Sequence, residues 1–316
     1  MQFRRVGNSG LSVSILGLGT LGWGTQVDEY GALDQLKAFH DVGGTLIDSS
    51  PIYGSGKAQE LLGSSLASSK VRDRFVIASR AGVAMNAGQR IVDVSRSGLI
   101  RQLDATLATL QTSYLDLWQL DRWDTSVPLA ETLSAMAFAI SSGRVRHIGV
   151  SNLSAWQTML VASEFESFRT GVSVVSSQSE YSLVQRRAEH ELVPALKHQG
   201  MGQIACAPLG RGVLTGKYRT GIPADSRAAH ADWEPYVSAY LGAESTRVVE
   251  AVTRAADGLG ASSAHVALAW LWAHEQVASA VVGARTPNHI AELAAAVNLD
   301  IPEPIVAALD DVSREA

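Results

Sequence analysis

Short apolar runs rich in branched side chains recur along the chain, and each gives way to a segment whose apolar residues return every three or four positions. The runs are SILGLG (14–19), GTLIDSS (44–50), RFVIAS (74–79), LDLWQLD (115–121), RHIGVS (146–151), VSVVSSQ (172–178), GQIACAP (202–208) and SAVVGA (279–284). Uninterrupted Val, Ile and Leu of this length suits strands buried on both faces. The intervening periodic segments predict helices near 29–42, 57–68, 95–110, 129–142, 154–163, 186–199, 261–274 and 287–296. Eight such alternations predict an α/β chain closed into a parallel (β/α)8 TIM barrel rather than an open sheet. No Pro/Ser-rich tract breaks the alternation, so residues 1–316 are expected to form one domain. The opening FRRVGNSGLSVS places the turn signal NSG between two short extended runs, predicting an N-terminal β-hairpin. Two connections, 81–94 and 210–244, exceed what a structural link requires and are expected to be functional loops.

Composition narrows the partners. Of 316 residues, 46% are hydrophobic and 18% charged, enough to bury a large core. The formal net charge of −5, with Lys and Arg scattered, leaves no basic footprint for nucleic acid or an anionic membrane. Small molecules are the expected partners, and composition leaves the oligomeric state open. The apolar run from Leu11 to Leu21 is too short and glycine-rich to span a bilayer, and MQFRRVGNSG lacks the apolar region of a signal peptide. A lone cysteine, Cys206, excludes an internal disulfide and points to a reducing cytoplasm. The histidines show no ligand spacing with Cys or Asp, so no metal site is expected.

In a barrel of this kind chemistry sits at the C-terminal strand ends, the rim that collects loops from all eight units. Those ends carry Asp48, Arg80, Asp121, Ser151 with Asn152, Gln178, Pro208 and Gly283–Ala284–Arg285. One polar strand end is unremarkable, because strand ends reach solvent. So many together, several ionisable, mark the rim as a site.

Their order, with the surrounding motifs, resembles the aldo-keto reductase family over nearly the whole chain. GGTLIDSSPIYGSGKAQELLG (43–63) is similar to that family's first signature, and HIGVSN, Gln178 followed by EYS, APLGRGVLTGKY and VVGARTPNHIAEL are similar to the later ones. The glycines of GLGTLGWG (17–24) do not make a Rossmann fingerprint, since no βαβ unit of the needed size encloses them. The resemblance implies NADP(H)-dependent reduction of a carbonyl, sugar or enone, or the reverse oxidation. It implies a catalytic tetrad with Asp48 and the proton donor Tyr53 retained, Arg80 in place of the usual lysine, and Asp121 in place of the usual histidine. It further implies that Ser151, Asn152 and Gln178 bind the nicotinamide carboxamide, that Gly19 and Thr20 lie beside the cofactor, and that the backbone from Pro208 and Leu209 through Arg211 and Gly212 passes the pyrophosphate. After the last strand, Gly283, Arg285 and Thr286 are expected at an adenosine 2′-phosphate, with His289 and Glu292 toward adenine. Cys206 stands where the family usually has an aromatic residue, and Leu293 where it usually has asparagine.

The two tetrad changes alter charge. Arg80 is a fixed cation that can pair with Asp48 and stabilise a tyrosinate but cannot pass a proton. Asp121 has three readings: a protonated second donor to the substrate oxygen, an ion-pair partner of Arg80 or Arg122, or a sign of degenerate catalysis in a cofactor-binding sensor or partner protein.

Overall fold

The computed structural model describes residues 1–86, 89–231 and 233–314. The parts of the expected loops at 87–88 and 232, and the last two residues of the expected domain, lie outside them.

Strands β1 (Phe3–Arg5) and β2 (Ser12–Ser14) pair antiparallel in the expected hairpin. Its Val6, Leu11 and Val13 are buried in one cluster with Leu46, Ala78, Leu117, Val175 and Ile204 from the barrel strands. The hairpin therefore plugs the N-terminal end of the barrel, the end away from the polar rim. Its turn needs glycine at position 7: φ is +56°, and a Cβ there would lie 2.3 Å from the Gly200 carbonyl oxygen.

The chain then runs β3 (Leu16–Gly19), α1 (Glu29–Asp41), β4 (Leu46–Asp48), α2 (Lys57–Ser69), β5 (Val76–Ala81), a hairpin of β6 (Val83–Asn86) and β7 (Gln89–Val92), α3 (Arg96–Thr109), β8 (Leu115–Leu120), α4 (Leu129–Ser141), β9 (Val145–Ser151) and α5 (Ala155–Phe165). It continues through β10 (Val174–Glu180), α6 (Leu192–Gln199), β11 (Gly202–Cys206), α7 (Glu234–Ser238), α8 (Ala243–Leu259), α9 (Ser263–Trp272), β12 (Val277–Gly283), α10 (Pro287–Ala295) and α11 (Glu303–Ser313). Eight parallel strands, β3, β4, β5, β8, β9, β10, β11 and β12, close into a barrel, as the alternation predicts. Several helices start where a side chain accepts from the first-turn amides: Asp28, Ser95, Ser154, Ser262 and Thr286 are N-caps, and Ser154 with Gln157 forms a capping box. No helix among the described residues is long and apolar enough to cross a membrane.

Four expectations need correction, the first being that the helix expected at 287–296 is not the last, because α11 follows it. The 81–94 connection is not simply a loop, because VAMN and QRIV pair as the β6–β7 ribbon. The 210–244 connection contains 3-10 turns and the short α7, and a 17-residue helix, α8, follows it where none was expected. Val248, Val252 and Ala256 give α8 a helical apolar stripe, but it is the second helix between two strands and the alternation rule admits only one. The expected helix over 186–199 begins only at Leu192, after a 3-10 turn at Arg187–Glu189.

Candidate functional site

Strand register brings the polar ends to one rim. Gly19 pairs with Asp48 and with Gly283, Arg80 with Gln119, and Gln178 with Ser151. Asp121 follows β8 directly, and Cys206 ends β11.

At the centre Arg80 Nη2 donates to Asp48 Oδ2 at 2.5 Å, with the two side chains only 10% and 3% exposed. Burial pushes the Asp48 carboxyl up from its ordinary value, and the Arg80 guanidinium opposes that rise. Burial also disfavours the Arg80 cation, but Asp48, Tyr53 and Asp121 outweigh it and hold the guanidinium above its usual range. Arg80 is thus a permanent positive charge. Asp48 Oδ1 and Arg80 Nε are buried with no hydrogen-bond partner.

The guanidinium carbon of Arg80 lies 5.5 Å from the centroid of the Tyr53 ring. Tyr53 begins a 3-10 turn after β4 in which Gly54 has φ +55°, and a Cβ at Gly54 would sit 2.8 Å from the Trp23 carbonyl oxygen. Only glycine lets that turn fold against the Trp23 loop and leave the ring over the barrel. Burial raises the Tyr53 phenol, and Asp48, Cys206 and Asp121 add to the rise against the pull of Arg80. The phenol therefore carries its proton at ordinary pH.

A second group is built from amides. Asn152 has φ +56°, a region asparagine tolerates better than most residues, and its backbone N–H donates to the Gln178 carbonyl at 3.0 Å. Its Nδ2 donates to Asp121 Oδ1 at 2.7 Å and to Ser151 Oγ at 3.1 Å. Gln119 Nε2 donates to Gln178 Oε1 at 2.7 Å, while Gln178 Nε2 is buried without a partner. Arg122 Nη1 holds the Asp121 main-chain oxygen at 2.6 Å and lies 3.4 Å from Oδ1.

A profile of the Aldo/keto reductase family matches residues 15–314. The chain belongs to that family. Aldo/keto reductases are oxidoreductases that use NAD(P)H. A probable voltage-gated potassium channel subunit beta of Oryza sativa subsp. japonica is 33% identical over 298 residues, covering 92% of this chain and 90% of that protein. The corresponding protein of Arabidopsis thaliana is 31% identical over 318 residues, covering 99% and 96%. An uncharacterized oxidoreductase of Bacillus subtilis (strain 168), YrpG, is 30% identical over 321 residues, with the same coverage.

Elsewhere in this aldo/keto reductase the expected residues are less uniformly placed. Thr20 is fully buried, its hydroxyl bonded to Ser49 Oγ at 2.8 Å. Pro208 and Leu209 follow β11, leading into Gly210, Arg211 and Gly212, all with left-handed backbone. The Arg211 side chain turns to Glu180, with Nε and Nη2 at 3.0 and 2.8 Å from the two carboxylate oxygens, and stacks 3.7 Å above the Tyr236 ring. It clamps α7 to the end of β10 and leaves only its backbone for a ligand. Arg285 donates to the Asp225 carbonyl at 2.7 Å, and Thr286 caps α10 by accepting from the His289 N–H. Glu292 is exposed, whereas Leu293 packs into the core. Trp23 and Trp118 are buried packing residues. Trp123 packs edge-on to Trp156 beside a cavity of about 260 Å³ that Arg122 also lines.

Two cations escaped the sequence reading. The Arg227 side chain makes no hydrogen bond or ion pair among the described residues; its guanidinium carbon lies 5.2 Å from the centroid of the Trp233 ring, and its Nη2 would lie 3.5 Å from a Cβ on Gly283. Burial, with Arg285 nearby, lowers its pKa, the mark of a cation lacking an anion. Lys217 Nζ would lie 3.2 Å from a Cβ on Gly212. Both sit in the 210–244 connection, where no strand end marks them.

Burial pushes the Cys206 thiol up to about 12, although Arg80 opposes it. At pH 8 the thiolate is then on the order of one part in 10⁴. Iodoacetamide at that pH should leave the folded protein unlabelled by intact mass and add one label after urea unfolding. Rapid labelling of the folded protein would contradict this environment.

Proposed function

We propose that this chain is an NADP(H)-dependent oxidoreductase that moves hydride between nicotinamide and a carbonyl, sugar or enone substrate, with Tyr53 as the proton donor. Residues 1–316 are taken as one functional unit acting in the cytoplasm. The observation that carries the reading is Gln178 Nε2, a buried amide donor that faces the Asp48 carboxylate without closing a hydrogen bond to it, next to the exposed Asn152 at the strand ends. A buried donor left open calls for an acceptor. The nicotinamide, when bound, supplies or takes the hydride. Ser151, Asn152 and Gln178 hold its carboxamide, and Lys217, Arg227 and Arg285 hold the phosphates. The Arg285–Asp225 contact is exposed, so a phosphate displaces it at little cost. As negative charge grows on the substrate oxygen, Tyr53 delivers its proton, and Arg80, fixed by Asp48, stabilises the tyrosinate left behind.

Tryptophan fluorescence should be quenched by NADPH at lower concentration than by NADH. No binding of either at millimolar concentration would remove the proposal. Arg285→Ala should weaken NADPH about tenfold and leave NADH unchanged, because only the former has the 2′-phosphate; Lys217→Ala should weaken both. Equal losses for both dinucleotides in Arg285→Ala would place the 2′-phosphate elsewhere.

A second reading draws on the two relatives named as probable channel beta subunits. In it the chain binds NADPH as a sensor or partner protein. It is separated by turnover: a panel of aldehydes, ketones, enones and sugar lactols would then give no rate above background.

A further inference from the structure

The carboxylate at the end of β8 has an assignment that depends on the cofactor site proposed above. An asparagine amide has two orientations that exchange its donor and acceptor. At Asn152 one of them places Nδ2 against Asp121 Oδ1 at 2.7 Å, and the other would set two oxygens against each other at that distance. Asp121 is only 5% exposed in its side chain, and Arg122 Nη1 holds its main-chain oxygen at 2.6 Å and lies 3.4 Å from the same Oδ1, so the carboxylate is confined and does not swing away to relieve such a clash. A charged acceptor also binds an amide donor more strongly than a neutral one. The orientation of Asn152 is therefore set by Asp121, and Oδ1 is the atom left facing the mouth. Gln119 acts in the same way one strand on: it occupies Gln178 Oε1 at 2.7 Å and leaves Nε2 open. The two free atoms, an acceptor on Asn152 and a donor on Gln178, match the NH2 and C=O of a primary carboxamide.

We propose that Asp121 is a positioning residue for cofactor recognition: it locks the Asn152 amide so that its oxygen, rather than its nitrogen, meets the carboxamide of the nicotinamide ring. This role explains why a hydrogen-bond acceptor occupies the strand end. It assigns Asp121 as a hydrogen-bond acceptor, neither a proton donor to the substrate nor a relic.

The test compares NADPH with 2′-phospho-ADP-ribose, which lacks the nicotinamide, by titration calorimetry of the full chain. Asp121→Leu should weaken NADPH about tenfold and the nicotinamide-free ligand less than about twofold. Asp121→Asn should stay within about threefold of the unaltered protein for both, because its Oδ1 still accepts from Asn152. Equal loss of the two ligands in Asp121→Leu, or equal behaviour of the Leu and Asn variants, would overturn the assignment. Should Asp121→Leu not fold, Asn152→Asp puts two carboxylates in contact and should lose NADPH selectively. The double variant Asp121→Asn, Asn152→Asp should recover it, since the exchanged pair again presents an outward acceptor. No recovery in the double variant overturns the proposal. The nicotinamide-free ligand separates this failure from that of the cofactor reading: if the unaltered protein binds neither ligand, both fall, whereas binding of both with no selective effect at Asp121 removes the positioning role alone.

Discussion

Tyr53→Phe will lower the turnover of a carbonyl substrate by about 100-fold or more and leave NADPH affinity near that of the unaltered protein. The substitution removes one oxygen and keeps the ring that packs against the core, so the fold and the amide cluster persist. The lost oxygen is the one that carries the proton: burial lifts the phenol, so it stays protonated through the working pH range, and the Arg80 charge opposes that rise and favours release. Arg80, 5.5 Å from the ring centroid, then faces the charge that the transfer creates. Steady-state rates with one aldehyde and one enone, beside a fluorescence titration with NADPH, check both halves. Full activity in Tyr53→Phe means that the proton comes from elsewhere, and loss of cofactor binding in parallel with rate means that the hydroxyl serves to hold the cofactor and not to give its proton.

Arg80→Met is expected to cost about 3–5 kcal/mol of stability, because it strands Asp48 in the barrel mouth without its cation. Asp48 is 3% exposed in its side chain and already has one oxygen without a hydrogen-bond partner. The pH dependence has a definite sign. Burial raises Asp48, and removing Arg80 deletes the main opposing influence, so the carboxyl in the folded variant titrates above its unfolded value. Between those two values the folded state holds the extra proton, and stability falls as pH rises. The deficit of Arg80→Met should therefore be larger at pH 8 than at pH 5 in urea unfolding, and Asp48→Asn in the same chain should restore much of it. A deficit independent of pH, or unrelieved by Asp48→Asn, would show that Arg80 acts through packing instead of charge.

The alternation of apolar runs and 3.6-period segments was enough to specify the barrel, because a parallel strand buried on both faces leaves an uninterrupted apolar signature and every crossover helix an amphipathic one. The same pattern placed Asp48, Arg80, Asp121, Ser151 and Gln178 at strand ends, and barrel closure necessarily carries such ends to a common rim, although the seventh strand ends at Cys206, before the Pro208 that the pattern gave. The β6–β7 ribbon and α8 were hidden for a different reason: each is an extra element within a single connection, and the rule of one helix per strand gives no place for it. Lys217 and Arg227 were hidden because loop cations carry no periodic signal, and only the course of the chain across the mouth brings them beside Gly212 and Gly283. Arg211 shows the converse, a rim residue whose side chain is taken up by Glu180 and Tyr236. Residue type and order along this chain determine which groups reach the rim. Which atom each group presents there, Asn152 Oδ1 and Gln178 Nε2 rather than their partners, is decided by neighbours on other strands, since an amide's orientation depends on hydrogen bonds between residues distant in sequence.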